Sequence, residues 1–66
     1  MKKVTLVEKD VWKVLEIVDD LRDDLGFVVN RDFDYAYHRG TLAMAKHTIF
    51  TFYRDEDATM FALRYL

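Results

Sequence analysis

Sixty-six residues allow one hydrophobic core and no second domain, because a chain this short buries only about 60% of the surface its unfolded form exposes. There is no cysteine for a disulfide or a thiolate zinc site, and His38 and His47 are the only imidazoles, so stability must come from packing, with self-association as a further source. The formal charge of -2 is mild, no run of about 18 apolar residues offers a membrane span, and the stretch after Met1-Lys2-Lys3 is too short for a signal peptide, so a cytoplasmic location is expected.

Lys2 to Val7 reads as a short strand with Val4 and Leu6 inward, although Thr5-x-x-Glu8 also fits a capping box that would start a helix early. From Glu8 to Leu25 the residues Val11, Val14, Leu15, Val18, Leu21 and Leu25 follow the spacing that gathers side chains into one stripe, which predicts an amphipathic helix. Gly26 stands where a left-handed C-cap is wanted, and Phe27 is placed to fold back as in a Schellman ending.

Phe27 to His38 then places Phe27, Val29, Phe33, Tyr35 and Tyr37 at alternate positions, the period of a strand, unless Asn30-Arg31-Asp32 turns the chain and delays it. A loop around His38-Arg39-Gly40-Thr41 leads to a second strand from His47 to Arg54. Phe50 and Phe52 share one face of it, and Ile49, Thr51 and Tyr53 the other. The two strands are expected to pair antiparallel.

The last segment fits either a helix, by the spacing of Ala58, Phe61, Ala62 and Tyr65, or a strand, by the alternation of Phe61, Leu63 and Tyr65. Capping favours the helix: Asp55 suits the N-cap, and Glu56 and Asp57 suit the positive end of the dipole. The apolar Leu66 suggests a docked C-terminus. The whole is a small α+β domain of β-α-β-β-α order, with an antiparallel sheet packed on an amphipathic helix. That order resembles a ferredoxin-like domain lacking its last strand. The alternative is a helix with a three-stranded antiparallel meander.

Charge is unevenly spread. Residues 8 to 25 hold seven acids against three bases, whereas 26 to 54 hold two acids against four bases. The first helix is therefore unsuited to phosphate contacts, which rest on clustered Lys and Arg. On a helical projection Trp12 falls outside the apolar stripe, in the sector of Glu16, Asp19 and Asp23. A large aromatic among carboxylates is the pattern of a docking anchor for a basic protein surface; the alternative is an indole folded sideways over the core. Arg22 interrupts the stripe, its stem packed and its head in water, or paired with Asp32 or Asp34.

Tyr35, Tyr37 and Tyr53 raise the alternative of an aromatic platform for single-stranded nucleic acid, although the basic, glycine-containing signature of the RNA-recognition motif is absent. Two histidines without a spacing motif make a metal site weak, and no cofactor is implied. With neither serine nor cysteine in the chain, threonines without an evident base partner, and carboxylates that lie on a solvated helix, an enzyme is not expected.

The ending Phe50-Thr51-Phe52-Tyr53-Arg54-Asp55-Glu56-Asp57-Ala58-Thr59-Met60-Phe61-Ala62-Leu63-Arg64-Tyr65-Leu66 resembles the carboxyl ends of short accessory proteins of tailed bacteriophages, which pair an aromatic strand with an acidic turn and an Ala-x-x-Phe-x-Leu segment. The likeness covers the last third of the chain and carries over no site residue. It implies a protein made in a bacterial cytoplasm that binds and redirects a host protein. The leading expectation is a non-enzymatic protein-interaction module, an inhibitor or modulator, with Trp12, Glu16, Asp19, Asp23, Tyr35, Tyr37 and Tyr53 as candidate contact residues. A homodimer seamed by exposed aromatics is the structural alternative.

Overall fold

A computed structural model describes all 66 residues. They form β1 (Lys2–Val7), α1 (Val11–Asp23), β2 (Phe33–His38), β3 (His47–Phe52) and α2 (Asp55–Tyr65). The strands make one antiparallel sheet in the order β1-β3-β2, with Val4 opposite Phe50 and Phe50 opposite Tyr35. β1 and β2 thus run parallel on either side of β3, and α1 is the crossover between them. This is the order and pairing of a ferredoxin-like domain without its last strand, and the final segment is helix rather than a meander strand.

Local chemistry sets the boundaries. Glu8 takes a left-handed backbone (φ 58°) and donates its N–H to the Lys46 carbonyl at 2.8 Å, so it ends β1 instead of starting a helix. α1 begins at Val11 behind Asp10, whose carbonyl accepts the Val14 N–H at 3.0 Å. The Asp10 carboxylate does not cap the helix; it holds the Lys46 ammonium at 2.9 Å and ties the β2–β3 loop to the helix start. At the other end Gly26 (φ 69°) turns the chain so that the Phe27 N–H reaches the Leu21 carbonyl at 3.0 Å. That bond spans one residue more than the Schellman closure expected there.

Asn30 (φ 71°) makes the turn foreseen at Asn30-Arg31-Asp32, and β2 starts only at Phe33. The turn is held by Asp32, whose carboxylate accepts the Val28 N–H at 2.9 Å and an Arg31 N–H at 3.0 Å. In α2 the cap position belongs to Arg54, which is extended and whose carbonyl accepts from Asp57 and Ala58. Asp55 is therefore the first helical residue and not the N-cap, and the three acids Asp55, Glu56 and Asp57 share the first turn, where the dipole favours them.

Both helices lie on one face of the sheet. Leu6, Phe33, Phe50 and Phe52 point into that layer and meet Val14, Ile17, Val18 and Leu21 of α1 and Ala58 and Phe61 of α2. The Phe61 ring sits 4.7 Å from Phe50 and 5.0 Å from Phe52, centroid to centroid. Each such ring contributes about 1.5–3 kcal/mol by leaving water. The opposite face carries Lys3, Thr5, Thr51, Asp34 and Ala36 around Ile49, and none of these is fully buried.

The inner stripe of α1 differs from the expected one. Ile17 is buried, whereas Val11 and Leu15 are each 40% exposed. Two stripes share Val14, Val18 and Leu21, and the sheet selects the one that contains Ile17. At the C-terminal end, Tyr65 docks with its ring 4.9 Å from Phe61, but Leu66 stays exposed, contrary to the docked end expected of it. No helix is long and apolar enough to cross a membrane.

Candidate functional site

The outer face of α1 is built by subtraction. Once Val14, Ile17, Val18 and Leu21 are committed to the core, a rotation of about 100° per residue puts Trp12, Glu16, Asp19 and Asp23 on the opposite side. They span about 16 Å of helix. The indole of Trp12 is 77% exposed, so it does not fold over the core. Val11 and Leu15 flank it, and the apolar patch is therefore wider than the tryptophan alone. Sequence reasoning assigned both to the core; the competing stripe through Ile17 was the available signal that they could be released.

The acid run divides into two sets. Asp24 accepts from Arg64 at 3.0 Å and Asp20 from the Tyr65 hydroxyl at 3.3 Å, so these two carboxylates fasten α1 to α2. Glu16 has only Lys13 at 3.7 Å, and Asp19 and Asp23 have no cationic partner. The two unpaired carboxylates, Asp19 and Asp23, share the helix face of Trp12. Their mutual repulsion and unspent charge give this face its negative potential.

The tyrosines do not form one platform. Tyr35 and Tyr37 lie on the helix-covered side of β2, with Tyr35 stacked at 6.0 Å on Phe50 and Tyr37 packed against the core. Tyr53 follows β3 on the opposite side and donates to the Asp34 carboxylate, which raises the phenol's pKa. The expected set of seven thus separates into the α1 face, a β2 pair and a lone ring.

His38 and His47 are direct cross-strand partners with rings stacked at 4.7 Å and 12°, but no carboxylate joins them, and no group of three potential ligands is present anywhere in the structure. Arg22 is exposed at the margin of the stripe and pairs with neither Asp32 nor Asp34. A shallow depression of about 460 Å³ lies at the end of α1 between Arg22, Asp23 and Gly26-Phe27-Val28-Val29. The displaced acidities all have structural causes. Val28 and Arg31 lower Asp32, Asp10 raises Lys46, and burial followed by Asp20 raises Tyr65. None of these three groups lines the depression.

No family model, curated protein or solved structure matches the chain.

Proposed function

We propose that this protein is a non-enzymatic interaction module that docks a basic protein surface through the outer face of α1, as a phage-encoded inhibitor or modulator of a bacterial host protein would. The observation that carries the reading is the indole of Trp12, 77% exposed on the helix face that also carries Glu16, held loosely by Lys13 at 3.7 Å, and Asp19 and Asp23, which have no cationic partner. Tryptophan is enriched among residues that dominate binding energy, and burying it against a partner recovers the solvation cost that the monomer leaves standing. Glu16, Asp19 and Asp23 supply the selection, since they favour a cationic partner and speed its approach.

The experiment is a pull-down from bacterial lysate with wild type, Trp12→Ala and Asp19→Lys side by side. Loss of the anchor should weaken capture by roughly thirtyfold, and the charge reversal should weaken it most at low salt. Equal recovery of the same proteins by all three chains removes this face from the reading.

A further inference from the structure

We infer that the outer edge of β1 is the seam of a two-fold homodimer, in which β1 pairs antiparallel with β1 of a second copy about an axis through Thr5. In an antiparallel ladder, alternate residues exchange hydrogen bonds with one neighbour and turn the intervening ones to the other side. The bond from the Glu8 N–H to the Lys46 carbonyl fixes the phase: the even residues of β1 bond to β3, and Lys3, Thr5 and Val7 present N–H and C=O groups outward. No loop or side chain takes those groups.

The two edges of the sheet are unequal. At β2, the Asn30 N–H already occupies the Phe33 carbonyl at 2.8 Å, and Val29 bridges to the same residue. β1 has no such cover. Its register runs unbroken from Lys2 opposite Phe52 to Val7 opposite His47, with neither proline nor bulge, and its two guarding lysines stand together at one end, which leaves Val4 to Val7 uncharged.

Charge identifies the occupant as the same strand. Lys2 and Lys3 stand at one end of β1 and Glu8 at the other. The two-fold pairing centred on Thr5 brings Lys2 level with Glu8 of the second copy, Lys3 with Val7 and Val4 with Leu6. Glu8 stands one residue past the strand with a left-handed backbone, so Lys2 meets it at the strand's end rather than as a ladder pair; this happens twice and no lysine faces a lysine, whereas centring on Lys3 would set like charges together. The three outward residues of each strand are then all used. Beside this edge, on the helix side, lies a groove of about 250 Å³ bordered by Val4, Ala62 and Leu63, the last 82% exposed. An axis normal to the sheet puts both grooves on the same side, where each gains apolar neighbours across the seam.

Thr5 offers a selective test, because its N–H points away from β3 and proline there removes an edge donor without breaking the sheet's own ladder. Sedimentation of the 66-residue chain over a micromolar-to-millimolar series should show a dimer. The amides of Lys3, Thr5 and Val7 should exchange slowly. Thr5→Pro and Thr5→Lys should each weaken dimerisation roughly tenfold or more with far-UV circular dichroism retained. Should the proline variant unfold, the lysine variant decides. Glu8→Lys should weaken the dimer, and Lys2→Glu in the same chain should restore it. A monomer at all concentrations, a dimer indifferent to Thr5, or a double variant no tighter than Glu8→Lys alone overturns the inference. Trp12→Ala should dimerise as wild type, which keeps this result separate from the α1 docking face.

Discussion

Phe33, Phe50, Phe52 and Phe61 have the same reason to leave water as Trp12, yet those four rings are fully enclosed and the indole stands on the far side of the helix that roofs them. The two regions are one helix thickness apart. The difference teaches that aromatic residues in this small domain serve two ends. Rings on the sheet and on α2 hold the fold, and the single ring on the outer face of α1 contributes little to it.

Phe50→Ala should break the comparison from the core side. Its ring contacts Phe61, Phe33 and Tyr35, and its loss should cost about 3–5 kcal/mol in a urea titration, a large part of the stability of a domain this size. A loss below about 1 kcal/mol would show that the rings repack freely. Thr48→Val should act in the opposite sense. The Thr48 hydroxyl is buried without a partner on a residue flanked across the sheet by Leu6 and Tyr37, and replacing it by a methyl should raise stability by roughly 1 kcal/mol in the same titration.

A smaller effect should come from the turn that feeds β2. The Val28 N–H, then Arg31, holds the Asp32 carboxyl below its ordinary range. Its folded pKa lies below the unfolded one, so its contribution is present above about pH 4 and is lost as pH falls through the folded value. Asp32→Asn should flatten that acid limb. On the alkaline side, Tyr65 is raised by burial and by Asp20, so its contribution is complete below about pH 10 and declines above it. The smallest effect on stability should be that of Trp12→Ala, within about 0.5 kcal/mol. Acrylamide should quench wild-type indole fluorescence freely; a protected indole would contradict its exposed position.

Much of the fold was legible because the chain punctuates itself. Alternation placed β1 and β3 within two residues, Gly26 ended α1, and Asn30-Arg31-Asp32 marked the turn. The start of α1 was not legible, since Glu8 has the sequence context of a first helical turn and only the ladder bond to Lys46 holds it in the sheet. The split between Leu15 and Ile17 was equally hidden: both fit a helical stripe, and the side occupied by the sheet decides. At the candidate site, the outward sector of Trp12, Glu16, Asp19 and Asp23 followed from angle alone. The withdrawal of Asp20 and Asp24 did not, because it depends on Arg64 and Tyr65, some 40 residues away in the chain. The tyrosine grouping failed for a related reason, as the parity that separates Tyr53 from Tyr35 is set by the pairing of β2 with β3.

Because α1 is seated by four buried side chains and fastened at its far end by Asp20 and Asp24, its outward residues are held ready in one geometry before any encounter. A helix that had to fold on a partner would spend free energy on ordering; if α1 docks as proposed, it does so already ordered. Association should therefore be limited by diffusion and orientation, and residence time should respond to what the indole finds on arrival.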